Sequence, residues 1–142
     1  MSLTAANATI LLSVPLLFPI PFQLKGFAAD DVEDTDPIEM VETLMGVDGN
    51  LSAGFVFVSV KQAFHLQADS PSIAYFDQLG MAQQAITDVY SINGTISLPG
   101  VGLKWAMTNG FMTGYPIVGS VKKLIQPRTF TITWNQATSS SI

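Results

Sequence analysis

Three features predict a mainly β domain, a β-sandwich or β-barrel with one flanking α-helix. Runs of alternating apolar and polar residues recur along the chain, as in Phe55–Gln67, Leu103–Thr108 and Arg128–Trp134. One stretch, about residues 71–90, carries a long helical pattern. Turn-forming pairs, Asp48-Gly49, Asn93-Gly94 and Asn109-Gly110, divide these runs at short spacing. Many short strands with a single helix pack as sheet on sheet with the helix laid against one face. The 142 residues make one domain, 1–142, with an N-terminal arm at 1–8 and a loose Ser/Thr-rich tail at 135–142.

Thr9–Val14 reads as a strand. Pro15–Phe22 is apolar but carries Pro15, Pro19 and Pro21, which favour an edge or an irregular extended path over a central strand. Ala8–Phe22 has neither the basic n-region of a signal peptide nor the roughly 20 residues of a membrane helix. It is expected to pack on the core. Gln23–Ala28 resumes a strand pattern.

Asp30, Asp31, Glu33, Asp34, Asp36, Glu39 and Glu42 then supply seven of the eleven acids, and no base lies between Lys25 and Lys61. A solvated loop, a fixed negative surface at an interface or channel, and a hard-cation site are the three readings. The spacing is not that of an EF-hand loop, and no metal is assigned.

The centre of the sequence is Ile38–Tyr90. Ile38–Met45 reads as a strand, with a helix as the alternative because Asp36-Pro37 resembles a helix start. Gly46-Val47-Asp48-Gly49-Asn50 is the hairpin turn, since Gly accepts the positive φ such turns demand. Phe55–Gln67 follows as one long strand. Its apolar face is Val56, Val58, Val60, Phe64 and Leu66, joined by Gln62. Ser70-Pro71 opens the helix as N-cap and first helical residue. Tyr75, Phe76, Leu79, Ala82, Ile86, Val89 and Tyr90 form its apolar stripe, opposite Asp77, Met81, Gln84 and Asp88.

Asn93-Gly94 then marks a turn into Thr95–Leu98. Asn109-Gly110 marks a second hairpin with Phe111–Tyr115 pairing across it. Lys122–Gln126 is expected to be a strand, as is Arg128–Trp134.

Composition restricts function. Six Lys and Arg against eleven Asp and Glu give a net charge of −5, a poor balance for gripping phosphates. Charged residues are 12% of the chain, against roughly 25% in ordinary soluble domains, and mean hydropathy is +0.37. Such a surface is either covered by other subunits or is the Ser/Thr-rich exterior of a well-packed β domain. There is no Cys, hence no disulfide and no thiolate metal site.

His65 is the only histidine, and no G-x-S-x-G, P-loop or G-x-G-x-x-G occurs. Asp77 and Asp88 stand about 16 Å apart along a helix, too far for a glycosidase pair. No enzyme and no cofactor are indicated. Trp105 and Trp134 suit either core packing or stacking on a sugar.

The order of local patterns resembles the tail tube proteins of tailed bacteriophages, especially contractile tails, and the related tube proteins of contractile injection systems. The resemblance covers Gly26–Trp134 and rests on a succession of segments. Gly26-Phe27-Ala28-Ala29-Asp30-Asp31 leads into the acidic loop, followed by Met40-Val41-Glu42 and Gly46-Val47-Asp48-Gly49-Asn50. Leu66-Gln67-Ala68-Asp69-Ser70-Pro71-Ser72 opens the helix, and Gln126-Pro127-Arg128-Thr129-Phe130-Thr131-Ile132 closes the domain.

The resemblance implies that neighbouring subunits complete the inner sheet in a homohexameric ring, and that rings stack into a tube for genome ejection into the host. It implies sheath, tape-measure and baseplate or initiator partners, and DNA passing without specific binding along an acidic lumen. No membrane is involved, and the place is the virion tail, after synthesis in the host cytoplasm. It puts Asp30, Asp31, Glu33, Asp34 and Asp36, with Gly46, Val47, Asp48, Gly49 and Asn50, at ring-to-ring contacts or the lumen. The alternative is a β-sandwich binding module, a virion or surface adhesin recognising carbohydrate through Trp105 or Trp134.

Overall fold

Backbone pairing gathers the alternating segments into one large sheet and leaves one hairpin outside it. The structure is a computed structural model that describes residues 8–27, 33–118 and 121–141. Asp30, Asp31, Ala28 and most of the expected N-terminal arm lie outside the described residues. In chain order the elements are β1 (Thr9–Val14), β2 (Phe18–Gln23), β3 (Glu33–Thr35), β4 (Val41–Met45), β5 (Leu51–Phe55) and β6 (Val60–Leu66), then α1 (Ile73–Ile86), β7 (Ile92–Leu98), β8 (Leu103–Gly114) and β9 (Arg128–Ser141). The large antiparallel sheet runs β2-β1-β7-β8-β9-β6-β3, and β4-β5 form a separate two-stranded sheet. The expected mainly β architecture with one helix is the one adopted, and the sheet is open, not a closed barrel.

The large sheet is strongly curled. β7 and β3 stand four strand steps apart in its order, roughly 19 Å if the sheet were flat. Yet Ile96 and Leu98 of β7 share the walls of one cavity of about 290 Å³ with Glu33 and Thr35 of β3. The curl lays β6 and β3 over β7, and α1 packs into the same core through Ile73, Phe76 and Leu79. Phe76 stacks on Phe130 with ring centroids 4.5 Å apart. Leu79→Ala is expected to cost about 2–5 kcal/mol in urea unfolding, because Leu79 is buried and its truncation leaves a cavity in the core.

Trp134 lies at the centre. Its side chain is fully buried and its indole N–H donates to Gln62 Oε1 at 2.9 Å. Gln62 Nε2 donates in turn to Glu33 Oε2 at 2.8 Å, and Thr35 Oγ1 donates to the same oxygen at 2.9 Å. A polar residue on the core face of β6 is thereby satisfied, and it ties β3 to β6 and β9. Gly110 lies against the indole so closely that a Cβ there would overlap the ring.

Several expectations are corrected. Phe55–Gln67 is not one strand: it divides at Val56–Ser59, since Phe55 ends β5 paired with Val41 of β4, while Val60–Leu66 form β6 paired with β9. The first strand of the hairpin begins at Val41, not Ile38. Of the expected strand Gln23–Ala28, the described residues 23–27 are strand only at Gln23, with an isolated bridge from Phe27 to Leu66.

Asn93-Gly94 and Asn109-Gly110 are not turns but lie inside β7 and β8. There the ladder slips between Ile92 and Gly94, Asn109 takes φ +48°, and its N–H donates to Asn93 Oδ1 at 3.3 Å. The left-handed conformation that suits Asn-Gly to a tight turn here serves a β-bulge. Lys122–Gln126 forms only a bridge between Val121 and Ile125. The tail expected to be loose at 135–142 is strand to Ser141, paired with Leu103–Thr108.

The helix starts at Ile73, with Ser72 as N-cap in place of Ser70. Ser70 and Ser72 instead fasten its entrance to Lys25, Ser72 Oγ accepting from the Lys25 N–H at 2.8 Å and Ser70 Oγ donating to the Lys25 carbonyl. It ends at Ile86 rather than Tyr90, because Thr87 turns left-handed with its N–H on the Gln83 carbonyl. The buried stripe is Ile73, Phe76, Leu79 and Gly80, so Ile86 and Val89 are exposed. Tyr75, only 37% exposed, stacks on Phe22 of β2 instead of entering the core.

Asp77, expected to face solvent, receives both terminal nitrogens of Arg128, at 2.9 and 3.2 Å, and the Tyr115 hydroxyl at 2.9 Å. Burial, then the Asp77 carboxylate, push the Tyr115 phenol above its ordinary pKa.

At the β2 edge, Pro19 and Pro21 supply no N–H. The expected edge placement of this segment is the one observed.

Candidate assembly surface

The β4–β5 hairpin is the part of the molecule that its own core does not stabilise. Its register pairs Val41 with Phe55, Thr43 with Ala53 and Met45 with Leu51. Cross-strand partners share a face, so these six residues make one apolar face. Glu42, Leu44, Ser52 and Gly54 make the other. Every strand residue on both faces is exposed. A two-stranded ribbon is marginal in water by itself, and a contiguous apolar face of this kind marks an interaction site.

The turn is built locally. The Gly46 N–H donates to the Asn50 carbonyl at 2.9 Å and the Gly49 N–H to the Gly46 carbonyl at 3.0 Å, with Gly49 at φ +85°. Asp48 accepts from the Asn50 backbone N–H at 3.1 Å and from its side-chain amide at 2.9 Å. These bonds hold the Asp48 carboxyl below its ordinary range, the backbone bond contributing most. Their contribution is present above the unfolded pKa and is lost as pH falls through the folded one. Val47, at the tip, projects fully into solvent.

At the base of the hairpin a cleft of about 460 Å³ opens between Ile38, Met40, Phe55 and Phe57 on one side and Asn135 and Gln136 of β9 on the other.

The residues singled out in the sequence fall into two groups. Gly46, Val47, Asp48, Gly49 and Asn50 sit together at the hairpin tip. Glu33, Asp34 and Asp36 lie at the other end of the connecting segment, along the β3 edge. Glu33 is engaged internally with Gln62 and Thr35, whereas Asp34 and Asp36 are exposed and the Asp36 backbone N–H binds the Lys61 carbonyl at 2.9 Å. Among the described residues no group of three or more His, Asp or Glu is placed to hold a metal ion.

Trp134 is buried and offers no stacking face to a sugar, and Trp105 is half-buried in the wall of the 290 Å³ cavity. Sequence reasoning missed the exposed apolar and basic segment 121–127 between β8 and β9. Its signal was a run with Val121, Leu124 and Ile125, ending at Pro127.

Comparison with known proteins adds the following. No curated protein sequence matches the chain. A chain in the cryo-EM structure of the anti-feeding prophage cap, a tube-terminating cap, superposes with TM-score 0.64 at 14% identity, covering 100% of this chain and 93% of that one. A chain of the sheath/tube terminator of the extracellular contractile injection system PVC gives TM-score 0.59 at 17% identity over 99% and 98%. A chain of the PVC sheath–tube complex in the extended state gives 0.53 at 18% identity over 94% and 88%. These likenesses concern the fold. A family model described as tail fiber protein gp32 matches residues 1–138, and the chain belongs to that family.

Proposed function

We propose that the chain is a structural subunit of the tail of a phage or related injection particle, and specifically a tail tube protein. Its copies form homohexameric rings that stack into the conduit through which the genome leaves. The observation that carries this reading is the β4–β5 hairpin, an exposed ribbon with an apolar face that its own chain leaves uncovered. The family's description, a tail fiber protein, supports the tail placement, and the sheath–tube, terminator and cap assemblies in which similar folds occur support the tube reading.

In this reading the exposed acids Asp34, Asp36, Glu39 and Glu42, with Asp30 and Asp31, keep the particle's surfaces negative, so DNA passes without specific binding. Sheath, tape-measure and baseplate or initiator proteins are the expected partners, and the virion tail is the place. Among the described residues no helix is long and apolar enough to cross a membrane. A second reading, a ring that ends a tube rather than repeats along it, is favoured by the cap and terminator structures among the similar folds.

Negative-stain electron microscopy of the purified protein, with and without isolated baseplates, separates these readings. Hollow tubes are the expected result. Single rings that never stack support the terminator, and small particles alone, even with baseplates, overturn both.

A further inference from the structure

β6 and β9 run side by side, and their two ends carry different surfaces. Val60 lies opposite Trp134 at one end and Leu66 opposite Arg128 at the other, six residue steps or about 20 Å away. The first end bears the hairpin, joined to Val60 through Val56–Ser59. The second bears the segment 121–127, which forms a depression with Gln67, Ala68 and Asp69.

That segment is preformed. The Lys122 N–H donates to the Leu124 carbonyl at 3.2 Å, Gln126 Nε2 donates to the same carbonyl at 3.0 Å, and Val121 bridges Ile125. Arg128, immediately after it, is fixed by Asp77 and by the Pro116 carbonyl. Leu124 is 78% exposed, and Lys122 and Lys123 beside it are exposed as well.

The Glu42–Leu44 face of the hairpin has the matching chemistry: a carboxylate next to a leucyl side chain that is 75% exposed. Glu39 and Asp48 add negative charge, and no base lies between Lys25 and Lys61. Asp69 is the acid in the receiving depression and Lys123 its base, and Lys122, next in sequence and exposed, adds a second positive charge beside it.

We propose that segment 121–127 is the seat for the β4–β5 hairpin of a second copy of this chain, entered by the Glu42–Leu44 face. The inference rests on the assembly reading above and names the receiving surface for it. Because the two surfaces differ and sit at opposite ends of the strands, each copy gives one hairpin and receives one. That is a heterologous contact, which repeats head to tail.

The chain has no cysteine, so an engineered pair reports without background. Leu44→Cys with Leu124→Cys is expected to give a ladder of disulfide-linked multimers from assembled protein on non-reducing gels, and neither single variant is expected to do so. Lys122→Glu with Lys123→Glu is expected to lower the assembled fraction at least tenfold, and adding Glu39→Lys with Glu42→Lys to restore it. Tubes that form normally while the cysteine pair stays unlinked, or that ignore the charge reversal, overturn the seat and leave the tube reading standing. Wild-type protein that never assembles, baseplates included, overturns both. All these positions are exposed, so the variants keep the core intact.

Discussion

Trp134→Ala is expected to lower the unfolding free energy by about 3–5 kcal/mol, read as a fall in the urea midpoint at constant m-value. Trp134 has no exposed surface, and it contacts Gly110 so closely that no other side chain at 110 would leave the ring in place. Truncation leaves a cavity in the middle of the curl. It also strips Gln62 Oε1 of its donor inside the core, and an orphaned buried acceptor costs roughly 1–3 kcal/mol. Trp134→Phe separates the two effects. It keeps much of the ring volume and loses only the hydrogen bond, so its cost should fall near that of the orphan alone. A loss below about 1 kcal/mol for the alanine variant would remove Trp134 from the centre of the fold. Glu33 gives a second readout, because Gln62 holds it through the other end of the same amide.

The second expected result concerns assembly and leaves stability alone. Met45→Asp with Phe55→Asp places two charges on the apolar face of the hairpin. Both positions are exposed, so the urea midpoint should stay within about 0.5 kcal/mol per site. In the proposed assembly that face is covered by a neighbour. Removing two large apolar side chains from such a contact forfeits about 1.5–3 kcal/mol each, before the cost of burying charge. At 1.4 kcal/mol per factor of ten, the tube contact weakens by about a hundredfold or more. Electron micrographs of the variant should show dispersed subunits under the conditions in which the wild type is expected to form tubes. Tubes of normal length in the variant would mean that the apolar face is not an interface.

The parts legible in the sequence were those where local preference and tertiary pairing agree. Phe130, Ile132 and Trp134 alternate with threonines and do line the core. Asp48-Gly49 does close a hairpin. The helix was legible in its existence and in Phe76 and Leu79, but the stripe was misplaced because Gly80 is part of the buried face and carries no apolar signal.

The Asn-Gly pairs misled because a bulge and a turn ask the same left-handed conformation of the backbone, and only the partner strand distinguishes them. Residues 135–141 looked loose because serine and threonine side chains have nothing to bury there. The strand exists because β8 offers a ladder of hydrogen bonds along Leu103–Thr108.

The candidate site was half legible. Its tip announced itself, but its return strand, Leu51–Phe55, contains Ser52, Ala53 and Gly54, which have little strand preference. The segment 121–127 is held by bonds within itself, Lys122 and Gln126 to the Leu124 carbonyl and Val121 to Ile125, and its strand-like residue pattern does not reveal that compact turn.

The prolines of β2 bear on the time before any particle exists. A protein made in many copies, each with a wide sheet ending in an open strand, risks being templated into disordered aggregates by pairing at that margin. Pro19 and Pro21 thin out the donors along one margin, and the three-residue β3 keeps the other short. If copies assemble as proposed, newly made ones then form a reservoir that does not seed itself through its backbone, and ordered growth falls to side-chain surfaces, which add a copy only where the shape and charge of its neighbour are already right.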